Sequence, residues 1–285
     1  MMHAVLLLKA LSPITHGSDT AGNRALIRRE KVDTPLGVRD VPVITGNSLR
    51  RRAVREPAIE SLSREGGLTK ERLRWLYSGG ALDKDDKGRF KKITNVDAAR
   101  IARCYELFPH VEALGCAMPD SPIPGKLKFG IAWLASMETQ DILRDTLPES
   151  WFEGANPMSP CHEWISDYDY YRHDPAKAHA ELLTDEDREA LENESMPHGG
   201  ENVIPGAAFV ATLHAPGLSD LAASALFYSL ETWAEAGPTV GGQSARGHGR
   251  VQPYLWTDRE IDSSAYRNHL TDRVGEMREF IDSLY

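Results

Sequence analysis

Residues 3–10 carry an uninterrupted apolar run, Ala4-Val5-Leu6-Leu7-Leu8, ended by Lys9. A run of this length without alternation predicts a strand buried on both faces, central in a sheet. Leu11 to Gly17 leaves the strand as a loop. Residues 18–40 are polar, contain Gly22, Pro35 and Gly37, and show no sustained period, which predicts a long excursion or a short hairpin. Val41-Pro42-Val43-Ile44 is a second, short apolar run that stops at Thr45-Gly46. Asn47 or Ser48 then caps a helix through Arg55, with Pro57 expected to halt it. Helical spacing places Leu49 and Ala53 on an inward face and Arg51 and Arg55 on another, outward one.

Residues 60–115 predict accessory helices, with spaced apolar positions over 69–77 and 96–108, separated by a charged Gly-containing loop at 79–89. Gly125 to Leu134 reads as one strand, and residues 150–205 read as irregular. The last third is clearer. Ala208 to Ala215 alternates as a strand, Leu218 to Ala236 is an amphipathic helix, and Arg250 to Trp256 is a strand after a Gly-rich loop. Tyr266 to Leu284 predicts a C-terminal helix. Two separated strand–helix–strand units predict an α+β fold with both helices on one face of an antiparallel sheet.

Composition narrows the functional classes. No apolar run approaches the roughly 20 residues needed to cross a bilayer, and the first run lacks the flanks of a signal peptide. A soluble, cytoplasmic protein without a membrane partner is expected. Cys104, Cys116 and Cys161 are odd in number and form no C-x-x-C pair, so a disulfide framework or zinc ribbon is not expected, nor any resident metal or cofactor. The net charge of −9 argues against a nonspecific nucleic-acid coat. Its distribution argues differently. Arg24, Arg28, Arg29, Lys31, Arg39, Arg50, Arg51, Arg52 and Arg55 form a basic stretch, whereas residues 181–194 are acidic. A basic groove on an otherwise acidic protein is compatible with bound RNA.

Two constellations carry chemistry. In Val43-Ile44-Thr45-Gly46-Asn47-Ser48-Leu49-Arg50-Arg51-Arg52, a strand ends at a glycine and a helix opens with small polar residues and arginines. A helix N-terminus offers unpaired N–H groups to a phosphate, and arginine adds bidentate contacts. The plainer reading is a capped helix with a solvated charged face. In Gly241-Gly242-Gln243-Ser244-Ala245-Arg246-Gly247-His248-Gly249-Arg250, a flexible loop joins a helix to a strand and can follow a ligand's backbone closely. No Lys-Ser/Thr pair follows, and the order is helix–loop–strand, so it is neither a P-loop nor a dinucleotide fingerprint. The plainer reading here is a turn with a β-bulge.

Together with His16-Gly17-Ser18-Asp19, these segments resemble the RAMP superfamily, the backbone subunits of class 1 CRISPR complexes. The type IV backbone is the nearest likeness and the type III backbone the second. The resemblance covers residues 3–57 and 203–257. It implies an RRM-like (ferredoxin-like) palm from residues 1–57 and 203–285, a thumb hairpin at 18–40, a helical insertion at 60–115 and an irregular insertion at 116–202. It further implies a subunit that oligomerises along a guide RNA beside other effector subunits and presents the guide for pairing with a target nucleic acid. The carried-over RNA contacts are Asn47, Ser48, Arg50, Arg51, Gln243, Arg246 and His248, to which the basic pattern adds Arg55, Arg24 and His16.

Catalysis is a weaker expectation. Type III backbones cut target RNA with an aspartate in the loop before the first-helix signature, where Asp33 falls, with Asp19 and Asp40 nearby. A type IV-like chain is expected to bind rather than cut. A CRISPR repeat-processing endoribonuclease shares the superfamily fold, and His16 would then be its general acid or base. A single-strand RNA binder outside CRISPR is a further alternative. Cys161-His162-Glu163 with His173, His179 and His198 matches no standard metal spacing.

Overall fold

The computed structural model describes residues 2–21, 24–69, 73, 97–118, 121–147, 159–171 and 197–283. Its predominantly antiparallel sheets and flanking helices make it an α+β protein, the class predicted. Among the described residues, no helix is long and apolar enough to cross a membrane.

The principal sheet has the order β13-β1-β12-β9-β5-β4. It is built from β1 (Met2–Ala10), β4 (Arg29–Thr34), β5 (Gly37–Ile44), β9 (Ala132–Leu134), β12 (Ala208–Ala215) and β13 (Val251–Thr257), with the short β8 (Lys128–Phe129) also paired to β12. β1 lies between β12 and β13, antiparallel to both. Its apolar run lacks alternation because both faces are covered. Met2, Ala4, Leu6, Leu8 and Ala10 join the main core, whereas Val5 and Leu7 pack with Val210, Ala135, Leu147 and Leu143 of α5 (Gln140–Arg144) on the opposite side.

The helices on the first face are those that follow β5 and β12. The former contains α1 (Gly46–Leu49), a π-helical segment (Arg50–Arg55) and α2 (Glu56–Arg64); the latter is α6 (Asp220–Glu235). Leu49, Ala53 and Val54 meet Ala223, Leu226, Phe227, Leu230 and Trp233 over the sheet. Pro57 does not end the first helix, contrary to the sequence expectation. The Glu56 N–H bonds back five residues to the Arg51 carbonyl. This wider turn relieves the contact between a proline ring and the preceding turn, so the chain stays helical to Arg64.

Residues 125–134 also depart from expectation. Two short strands replace one, because the chain breaks at Gly130, whose N–H donates to the Thr212 carbonyl. The predicted helix over 96–108 is present as α3 (Ala98–Leu107), followed by α4 (His110–Leu114) and the hairpin of β6 (Gly115–Met118) and β7 (Ser121–Pro124). Most of the 69–77 helix and all of the 79–89 loop lie outside the described residues, as does the acidic 181–194 stretch. A second core joins Ile59 and Leu62 to Leu107, Phe108 and Val111, and to Leu270, Met277 and Ile281 of the C-terminal helix α7 (Ser264–Asp282). Cys104, Cys116 and Cys161 are buried free thiols.

Residues 150–205 are not simply irregular. β10 (Ile165–Tyr171) and β11 (Pro197–Val203) pair antiparallel, and β11 runs parallel to β3 (Arg24–Ile27), which pairs with β2 (Gly17–Ala21). The expected excursion at 18–40 thus falls into two hairpins. The second, β4–β5, has its outer residues 37–40 exposed while Val41 to Ile44 are buried, so its tip stands clear of the sheet. Leu36 at that tip is 79% exposed.

Candidate nucleic-acid interface

The first helix begins two or three residues earlier than its sequence suggests. Thr45, not Asn47 or Ser48, is the cap: its backbone is extended and its hydroxyl accepts the Ser48 N–H at 3.4 Å. Asn47 is exposed in the first turn and Ser48 half-buried. Gly46 is buried, and a Cβ there would lie 2.1 Å from the Phe129 carbonyl oxygen. Close packing of the helix start on β8 therefore requires this glycine, whatever ligand the helix meets.

The arginines that follow differ in setting. Arg51 is exposed and pairs with Glu56 at 2.8 Å, a carboxylate shared with Arg52 at 3.2 Å. Arg50 turns inward and donates to the Leu114 carbonyl. Arg55 is half-buried rather than outward-facing, and the Nε atoms of Arg50 and Arg55 have no hydrogen-bond partner among the described residues. Burial, then the neighbouring guanidinium, lowers the pKa of each below the usual arginine range. Two partly desolvated cations on adjacent turns favour an anion that would relieve both.

Residues 13–16 join this helix to the Gly-rich loop. The Gly249 N–H donates to the Pro13 carbonyl at 2.8 Å, and the Gly242 N–H to the Thr15 carbonyl at 2.6 Å. His248 Nδ1 lies 2.8 Å from the Thr15 hydroxyl. On the other side His16 Nε2 accepts the Thr45 N–H at 3.2 Å, which places the imidazole at the helix cap. Burial, followed by Arg28, lowers the His16 pKa and keeps the ring neutral for that bond. Gly241 has φ +72° and a Cβ would stand 2.3 Å from the Thr15 carbonyl, so the loop's root is fixed by close approach to residue 15. Its outer part is a short 3-10 turn, Ser244–Arg246, in which Arg246 is exposed.

Gln243 adopts a left-handed backbone at φ 59°, and its amide donates to the Tyr168 hydroxyl at 2.5 Å. The Tyr168 ring meets His248 edge-on, with centroids 5.7 Å apart. Sequence reasoning gave Tyr168 and Thr15 no role. Aromatic density around residue 168 was the one available signal, and only the fold brings it to a loop 75 residues away. His16, Gln243 and His248 are therefore gathered on one continuous surface with the start of the first helix.

Other sequence candidates lie elsewhere. Arg24 pairs with Asp167 at 2.6 Å on the second sheet. Asp33 is exposed on β4 opposite Val38, away from the tight contacts of the loop. The basic stretch is largely compensated: Arg28 pairs with Glu30, Arg29 with Glu201 and Lys31 with Asp40. Exposed pairs of this kind contribute roughly 0–1 kcal/mol, so phosphate can replace the carboxylate at little cost. Arg29–Glu201 is more buried and ties β4 to β11. Cys161 donates its N–H to Glu138, and among the described residues no His/Cys/Asp/Glu cluster has metal-binding geometry. The side chains of His173, His179 and His198 lie outside the described set.

A chain of a solved type IV-B CRISPR complex superposes on this structure with a TM-score of 0.63, covering 90% of each chain at 17% identity. The chain has the fold of a CRISPR complex subunit. The crystal structure of Csc2 from Thermofilum pendens also aligns, covering 99% of this chain and 76% of that one at 16% identity, with a TM-score of 0.44. No protein-family profile matches the sequence, and no curated protein does.

Proposed function

We propose that this chain is a guide-RNA-binding backbone subunit of a class 1, type IV-like CRISPR effector complex, repeated along the guide beside other effector subunits. The observation that carries this reading is the junction at residues 13–16, which braces the Gly-rich loop through Thr15 and the helix cap through His16. Asn47, Ser48 and Arg51 on one side and Gln243, Arg246 and His248 on the other would follow one phosphate backbone. The strand order β13-β1-β12-β9, with one helix in the connection from β1 to β9 and one in that from β12 to β13, supports an RRM-like palm, because it is the fourth-first-third-second order of that fold. The projecting β4–β5 hairpin supports a thumb that would part guide bases for pairing with a target.

The geometry disfavours a repeat-processing endoribonuclease, because His16 Nε2 is engaged by a backbone N–H and not presented to solvent. Purified without nuclease treatment, the protein is expected to carry RNA, seen as an absorbance ratio at 260 over 280 nm well above that of protein alone. A protein-like ratio that persists on co-expression with a CRISPR array would contradict the proposal.

Asp33 tests the cleaving alternative. Asp33→Ala is expected to leave guide binding unchanged, and neither it nor the wild type should cut a complementary RNA in magnesium. Regular fragments on a denaturing gel from wild type that vanish in the variant would instead assign a type III-like backbone.

A further inference from the structure

The sheet has a second face, opposite α2 and α6, and part of it is not covered by the described residues. On edge strand β13, Val251 and Leu255 turn to the main core, so Tyr254 and Trp256 turn outward, 47% and 38% exposed. Alternate strand residues stand about 7 Å apart on one face, enough for one planar ring on each. The register carries this face across the sheet: Trp256 lies opposite Val5, and Tyr254 opposite Leu7. Two residues before Val5, His3 lies opposite His214, their ring centroids 4.5 Å apart, and His214 lies opposite Lys128. Lys9, opposite Gln252, extends the same face at the other end.

We propose that this face is a stacking platform for unpaired nucleobases, formed by Tyr254, Trp256, His3 and His214 and flanked by Lys128 and Lys9. Every base has a π face, so aromatic platforms bind single strands with little sequence preference while cations hold the phosphates. Two features favour a nucleic acid over a protein. The aliphatic part of the face is already covered, since Val5, Leu7 and Val210 lie beneath Ala135, Leu143 and Leu147. The exposed remainder combines aromatic rings with positive charge on a chain of net charge −9. Beyond burial, the groups that lower the His214 pKa are His3 and Lys128, its neighbours on this face. The nearest carboxylate in sequence, Asp258, follows the end of β13. The platform is distinct from the Gly-rich-loop surface and does not depend on how that surface is used.

The full-length protein, in whatever RNA-loaded state it purifies, would be titrated with a fluorescein-labelled eight-nucleotide oligouridylate. Wild type is expected to bind with quenching of tryptophan fluorescence. Tyr254→Ala with Trp256→Ala should raise Kd at least tenfold, because stacking contributes through each ring. Tyr254→Phe with Trp256→Phe should restore affinity to within about threefold and abolish most of the quench, which separates stacking from loss of fold. Unchanged affinity in the alanine variant would overturn the platform. So would an alanine variant that binds the oligouridylate normally but assembles differently, since the face would then contact protein. Loss of co-purifying RNA in Gln243→Ala with His248→Ala, with the oligouridylate still bound, would separate the two surfaces.

Discussion

The double variant Arg51→Ala, Arg246→Ala is expected to bind RNA about 100-fold more weakly than wild type at physiological salt. Each arginine supplies a charge-assisted contact to a phosphate, worth roughly 1.5–3 kcal/mol, and the two stand on the opposite elements that residues 13–16 brace. The slope of log affinity against log salt should fall by about 2, because two fewer counterions are released per complex. Arg51 gives up Glu56 to do this, an exchange of one exposed ion pair for another. An unchanged salt slope would mean that these side chains are only solvated. Arg55 is a poorer choice for the test, because its half-burial would confound binding with folding.

The second large effect concerns stability in acid. His110 opens α4 inside the second core, with neither ring nitrogen hydrogen-bonded among the described residues. Burial lowers its pKa from 6.5 to about 3. The folded state therefore keeps the ring neutral, while the unfolded chain takes up a proton below about pH 6.5. Unfolded chains bind more protons in that window, so stability falls as pH falls from about 6.5 towards 3. The loss approaches about 1.4 kcal/mol per pH unit once the unfolded ring is fully protonated, which amounts to roughly 2 kcal/mol between pH 6.5 and 4.5. Urea unfolding at those two pH values should show this difference in wild type and a loss smaller by that amount in His110→Leu. Equal losses in the two proteins would contradict it.

How much of this was legible depended on whether the cause was local. The central strand β1 could be read from Ala4 to Leu8 because covering both faces leaves an apolar signature. The Gly-rich loop and the polar opening of the first helix were legible for the same reason, since turn and cap chemistry is written in adjacent residues. The cap itself was misplaced by two or three residues, because Thr45, Asn47 and Ser48 are all competent caps and packing of Gly46 on Phe129 decides among them. Helix continuation through Pro57 depends on a π turn that proline statistics do not anticipate.

Long-range pairing was the least visible. Ile165 to Tyr171 alternates polar and aromatic residues, and its partner lies beyond residue 196, so its place in a sheet could not be read locally. The same separation hid the neutralisation of Arg24 by Asp167 and of Arg29 by Glu201, which made the basic stretch look freer than it is. His16 kept its place beside the first helix but is bonded to the helix cap, and Tyr168 reached Gln243 through tertiary structure alone.

The central claim is that the chain is a repeating unit on a guide RNA. Native mass spectrometry of complexes assembled on guides of increasing length tests it most directly. The number of copies should rise in steps, one copy for each fixed increment of guide, with no unoccupied spacer between steps. A single copy per RNA at every guide length would contradict the account.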